Sequence, residues 1–139
     1  MTFKRVVITG VGALTPIGNT LPQYWNGLKE GKSGAAPITK FDTTLFKTKF
    51  ACEVKDLDVN NFMDKKEARK LDPFAQYAII SSDEAIQDAN LPQDIDPDRV
   101  GVIWGSGIGG LLTFQEEVRN FAAGDGTRNN TPRGRCYLV

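Results

Sequence analysis

Three glycines, Gly105, Gly107 and Gly110, stand at the spacing G-x-G-x-x-G between a short apolar run and an amphipathic one. Bare backbone amides in such a turn, followed by a helix N-terminus, can hold a pyrophosphate. A dinucleotide site also needs a second strand ending in an acidic residue roughly 20 positions further on. Asp125 stands at that distance, but Leu111 to Gly124 leaves no room for the strand. The other reading is structural: the glycines permit close helix–sheet packing and a strained turn. The earlier pair Gly10-x-Gly12 has Thr15 where a third glycine would stand. A nucleotide-binding module built on Gly105–Gly110 stays as an alternative function.

Other spacings come close to known chemistry and miss it. Gly27-x-x-x-Gly31-Lys32-Ser33 is one residue short of a phosphate-binding loop and follows a helix where a strand should stand, so it reads as a helix C-cap and loop. Asp94-x-Asp96-x-Asp98 has Arg99 and Gly105 where a calcium loop needs glycine and glutamate, and reads as a solvated turn. The chain has no histidine, which removes the usual general base and metal ligand. Cys52 and Cys136 form no metal-ligand spacing. Arg135 beside Cys136 would favour its thiolate, but no histidine activates it, and Cys52 reads as a packed thiol in a strand. No catalytic residue, metal or cofactor is expected from these patterns. Lys65, Lys66, Arg69 and Lys70 place four cations within six positions, and Lys66, Arg69 and Lys70 share a face if the segment is helical. Such a face is either simply solvated or a docking surface for an acidic partner.

The elements that must position these groups follow from periodicity. Arg5–Thr9 and Val100–Trp104 are β-branched and continuously apolar in their middles, and read as strands buried on both faces. Thr20 opens a helix through a Thr20-x-x-Gln23 capping box, with Pro22 in the first turn, and Gly31 ends it. Leu21, Tyr24, Trp25 and Leu28 give it an apolar face. Ser33–Asp42 reads as loop, and Phe46–Val54 as an antiparallel strand or hairpin arm. Asp64–Asp72 is a basic helical segment. Asp72-Pro73 then caps a helix over Phe74–Asn90, whose Ala75, Ala78, Ile79, Ser82, Ala85, Ile86 and Ala89 form a small-residue face for close packing. Leu111–Ala123 is the last helix. Strand, helix, strand, helix argues for an α/β fold with a mainly parallel sheet.

Equal totals of 17 basic and 17 acidic residues give no net charge, with pI about 6.3. Nothing global calls for nucleic acid or an anionic membrane. No segment approaches 18 apolar residues, and Thr9, Gly10 and Gly12 interrupt the N-terminal run, so neither a membrane span nor a signal peptide is expected. Two distant cysteines suit a reducing, cytoplasmic setting.

Taken together, RVVITGVGALTPIGN, W-x-x-L-x-x-G-x-SG, PITKFDTT, KFACEVKD, KKEARKLD, QYAI and RVGVIWGSGIGG resemble, in order and spacing, the N-terminal part of a β-ketoacyl-acyl carrier protein synthase of the type II, elongating kind. The resemblance implies the thiolase-like fold, a layered α-β-α-β-α arrangement of which this chain would form an incomplete N-terminal part, usually in a homodimer. It implies decarboxylative Claisen condensation in fatty acid biosynthesis. An acyl chain passes to a cysteine, malonyl-acyl carrier protein loses carbon dioxide, and the carbanion attacks the thioester. Such chemistry needs a thiolate at a helix N-terminus, an oxyanion hole and histidines that stabilise the enolate.

Residue by residue, the resemblance gives Ile108 a place at the acyl pocket, gating chain length. It assigns Lys66, Arg69 and Lys70 to the patch that meets the acidic acyl carrier protein. The family's cysteine and two histidines fall downstream of the glycine turn and match nothing here. The expected organisation is a synthase segment over 1–123 and a divergent, irregular tail over 124–139, where RNNTPRGRCYLV departs from the family pattern. A frameshift or premature end in a once complete gene would explain that change. Expected consequences are no condensing activity by this chain alone, apolar faces left without partners, and, as a further alternative, a non-catalytic carrier-protein binder.

Overall fold

The computed structural model describes residues 4–124. Their contacts divide between two units, one of residues 4–57 and 80–101, the other of residues 58–79 and 102–124. The elements in chain order are α1 (Leu21–Lys29), β1 (Ala36–Pro37), β2 (Phe50–Ala51), α2 (Lys65–Ala68), α3 (Pro73–Ala89) and α4 (Leu111–Ala123). Short 3₁₀ turns lie at Val59–Asn61 and Pro97–Arg99. Residues 73–79 of α3 belong to the second unit and 80–89 to the first.

In the first unit α1 begins and ends where the sequence says. The Thr20 hydroxyl accepts from the Gln23 amide, and the Gln23 side chain accepts from the Asn19 amide at 2.9 Å. The reciprocal bond thus reaches one residue further back than in a standard capping box. At the far end Gly31 adopts φ +65°, with Lys32 N–H on the Gly27 carbonyl and Gly31 N–H on that of Leu28. This is the Schellman arrangement, and a left-handed residue there favours glycine. The apolar face is only partly covered: Gly27 is buried against Ile17, while Trp25 and Leu28 are exposed.

The segment before α1 is held by α3. A Cβ on Gly10 would meet Ala89 N at 2.5 Å, and one on Gly12 would meet Ala85 N at 2.9 Å. Only bare glycines allow this approach. Beside them the carboxylates of α3 take up the segment's amides. Asp88 accepts from Val11 at 2.9 Å, and Glu84 accepts from Ala13 at 2.8 Å and from Leu21 at 2.7 Å. The small-residue face therefore does its work through Ala85 and Ala89, with Ser81 in place of the expected Ser82; Ile79 and Ile86 stand exposed.

Two expected strands are corrected. Neither Arg5–Thr9 nor Val100–Trp104 joins a ladder, and Val6, Ile8, Val102 and Ile103 are exposed. β-branched runs fit a strand, but a strand buried on both faces exists only where neighbours pair with its edges and cover it. The described residues supply none. Their one sheet is the antiparallel pair β1–β2, with Ala36 opposite Ala51 and Pro37 opposite Phe50. The expected arm Phe46–Val54 thus forms, shortened to two residues, and its partner lies inside the stretch read as loop. Cys52 lies just past the end of β2 and is an exposed free thiol, not a packed one.

The second unit is built on α2, the first turns of α3, and α4. Asp72 starts α3 as expected, its carbonyl accepting from Ala75 and Gln76 at 3.0 Å, with Pro73 at the first helical position. Ala68 of α2 is the unit's buried apolar residue; among the described residues the other is Ile80, in the part of α3 that belongs to the first unit. No described helix is long and apolar enough to cross a membrane.

Candidate functional site

The basic helix α2 is short and firmly tied. Asp64 caps it, accepting from Lys66 N at 2.7 Å. Its last carbonyls are taken by one side chain: Gln76 Nε2 donates to Ala68 O at 2.8 Å and to Leu71 O at 3.1 Å. Successive backbone bonds carry the helical spacing through Arg69, Lys70 and Leu71. Ala68 turns inward, and Lys65, Lys66, Arg69 and Lys70 are all exposed.

The cations of this face differ in what they already hold. Lys70 pairs with Glu67 at 2.8 Å, and that hydrogen bond and charge hold its ammonium above the ordinary lysine value. Lys65, Lys66 and Arg69 make no ion pair among the described residues. Four cations thus face two carboxylates, Asp64 and Glu67, over seven positions. An exposed pair such as Lys70–Glu67 is weak and exchangeable, so Lys70 stays available to a stronger acidic partner. Lys66 and Arg69, at i and i+3, present their charge side by side.

The glycine turn lies in the same unit. Gly109 has φ +72°, and its amide donates to Ser106 Oγ at 3.0 Å. Ile108 is 76% exposed at the tip. Gly105 and Gly107 have open space where a Cβ would stand, so packing does not demand glycine there. Gly110 is different, because a Cβ would fall on the Asp72 carboxylate, with Cγ at 2.7 Å. That carboxylate accepts a hydrogen bond from the hydroxyl of Thr113, in the first turn of α4. A pyrophosphate at this helix start would meet a carboxylate already there, which argues against the nucleotide-binding alternative.

Of the remaining candidates, Asp96 accepts from Asp98 N at 3.1 Å and caps a 3₁₀ turn. No group of three or more metal-ligating side chains exists among the described residues. Asp125, Arg135, Cys136 and the stretch 125–139 lie outside the described residues. Sequence reasoning missed the carboxylates of Asp72, Glu84 and Asp88 as clasps, since their partners lie 41 to 77 positions away. The sole local sign was the placement of acids on a helix facing glycine-rich segments.

Comparison with known proteins adds to this geometry. The profile of the β-ketoacyl synthase N-terminal domain matches residues 3–136. A 3-oxoacyl-[acyl-carrier-protein] synthase 2 of Synechocystis sp. is 49% identical over 115 residues, 82% of this chain and 28% of the relative. The enzyme of the same name from Staphylococcus aureus is 48% identical over 113 residues, 81% of this chain and 27% of the relative. The chain therefore spans a little over a quarter of these relatives' length. Among solved structures, the ishigamide ketosynthase/chain length factor superposes with a TM-score of 0.69 at 32% identity, covering 86% of this chain and 30% of that one. A ketosynthase complex with a type II polyketide acyl-carrier protein gives 0.69 at 28% identity, covering 87% and 32%. These neighbours place the α/β architecture in the thiolase-like fold, of which the chain forms an N-terminal portion.

Proposed function

Because the chain belongs to the β-ketoacyl synthase family through its N-terminal domain, we propose that it supplies the carrier-docking corner and the acyl-gating turn of a 3-oxoacyl-acyl carrier protein synthase. The exposed basic face of Lys66, Arg69 and Lys70 carries this reading. It is firmly anchored through Gln76 and matches an acidic carrier protein in charge. A relative of known structure is a ketosynthase in complex with an acyl-carrier protein, which supports that kind of partner.

The reaction of the whole protein is decarboxylative condensation. A cysteine thiolate takes the acyl group from the carrier thioester and frees the carrier thiol. Malonyl-carrier protein then loses carbon dioxide, and its carbanion attacks the acyl-enzyme carbonyl, expelling the thiolate. The chain has no histidine among its 139 residues, and no cysteine of a matching motif. Its own share is therefore recognition, with Ile108 bounding the acyl chain, and it does not condense by itself. Homodimerisation belongs to this reading too. Leu111, Phe114, Val118 and Phe121, at i, i+3, i+7 and i+10 of α4, are exposed apolar residues suited to such an interface.

The test is binding of an acidic acyl carrier protein to the chain, followed by fluorescence anisotropy at low and high salt. Reversal of Lys66, Arg69 and Lys70 to Glu should weaken binding ~100-fold, at roughly 1 kcal/mol per reversed contact. Equal binding by the reversed chain would overturn the docking role. Condensation product formed by the chain from acyl- and malonyl-carrier protein would overturn its restriction to recognition.

A further inference from the structure

We propose that Asp72 is the positioning residue for the turn that carries Ile108, and thereby a determinant of acyl-chain selection; the second half of this statement rests on the function proposed above. The turn Ser106–Gly110 does little to hold itself. Its internal tie is the Gly109 amide on Ser106 Oγ, and Gly105 and Gly107 have open space around them. Its other end enters α4 at Gly110, which as N-cap has no side chain to accept the first free amides. Asp72 brings a carboxylate to that end from another element. Its carboxylate accepts from the Thr113 hydroxyl and occupies the space a side chain at 110 would fill. Thr113 is only 8% exposed, so its hydroxyl has poor access to water as a substitute. A negative charge there also favours the positive ends of both α3 and α4.

Asp72 itself cannot drift. Its carbonyl begins α3 through Ala75 and Gln76, and Pro73 fixes the next φ. Gln76 in turn clamps the end of α2. Asp72 is two positions beyond Lys70, so the docking face and the turn bearing Ile108 are fastened to one short stretch of chain. This attachment is specific in its chemistry: a hydroxyl must face an acceptor, and position 110 must be bare.

Both requirements give a test in the 139-residue chain. Amide hydrogen exchange is followed over Ser106–Thr113, with α3 as internal reference. Asp72→Ala, Thr113→Val and Gly110→Ala should each speed exchange in the turn about tenfold, the loss of one charge-assisted hydrogen bond. Thr113→Ser keeps donor and acceptor and should stay close to the parent, while Asp72→Asn keeps an acceptor without its charge and should fall between the parent and Asp72→Ala. In the double variant, Asp72→Ala with Gly110→Ala, the added methyl meets no carboxylate and should cost nothing further. Equal behaviour of Thr113→Ser and Thr113→Val, or full additivity in the double variant, would overturn the proposal. The Thr113 pair, of which Val matches the shape of Thr without its hydroxyl, keeps the test decisive if Asp72→Ala fails to fold. None of these readings uses a carrier protein, so failure of carrier binding would sink the docking function and leave the role of Asp72 in the turn standing.

Discussion

Two segments rich in glycine are each held by carboxylates on or beside α3, yet they are held in different ways. At Gly10–Ala13, two glycines lie on the backbone of α3, and Glu84 and Asp88 accept from main-chain amides of the segment. At Gly105–Gly110, one glycine faces a side-chain carboxylate, Asp72, which accepts from a hydroxyl. In the first, the glycines themselves meet helix backbone, which cannot swing aside. The second ends in a carboxylate that can rotate. The same residue types thus give a rigid joint in one region and an adjustable one in the other.

The largest expected effect sits at the rigid joint. Gly12→Ala places a methyl against the Ser81 carbonyl and the Ala85 amide of α3. Neither can yield without unwinding the helix, so the cost should be on the order of 3 kcal/mol. With Ala68 and Ile80 the buried apolar residues among those described, that would lower the denaturation midpoint sharply. Gly105→Ala, in open space, should remain within about 0.5 kcal/mol of the parent. Similar midpoints for the two, measured by circular dichroism in urea, would dissolve the contrast.

Glu84 gives the next effect. It joins two segments by accepting from Ala13 and from Leu21, the first residue of α1. Glu84→Ala leaves two part-buried amides without an acceptor and should cost about 2–3 kcal/mol. Glu84→Gln offers one carbonyl and one amide group, and should lose roughly half as much, because its NH₂ would face a donor. If Gln were as damaging as Ala, the carboxylate's role would lie in its charge and not in its two acceptors.

What the sequence disclosed follows the range of the interactions. The start of α1 at Thr20, its stop at Gly31 and the start of α3 after Asp72 depend on contacts within a few residues, and all were legible. So was a basic face on α2, since Lys66, Arg69 and Lys70 need only one turn of helix to align. The Ser81–Ala85–Ala89 seam was half legible: small residues announced a close approach, but whether 81 or 82 faced the partner depended on where Gly10 and Gly12 lay. The runs Val6–Ile8 and Val102–Trp104 misled, because a strand's place is decided by neighbours that these segments do not name. Asp72 announced itself as a cap for its own helix, and nothing local showed that its carboxylate serves another. Family resemblance carried what periodicity could not, namely the thiolase-like architecture; the roles of Ile108 and the basic face remain tied to the experiments above.

The smallest effect belongs to a clasp built from the same groups but left in water. Glu53 accepts from the hydroxyl of Thr39 at 2.8 Å and from its amide at 3.3 Å, fastening the strand pair β1–β2 from outside. The Thr39 hydroxyl is the main reason that the Glu53 carboxyl is held below its ordinary value of 4.5. A carboxylate with a lowered value in the folded state stabilises it at neutral pH, and that contribution fades as pH falls through the lowered value. Water replaces an exposed partner readily, so the effect should be slight beside that of Glu84. Thr39→Val should move the Glu53 titration back toward 4.5, read by side-chain carboxyl NMR shifts, and should barely change the denaturation midpoint at pH 7. A loss as large as that of Glu84→Ala would mean that burial is not what separates these clasps, and that the carboxylate–amide geometry alone sets their strength.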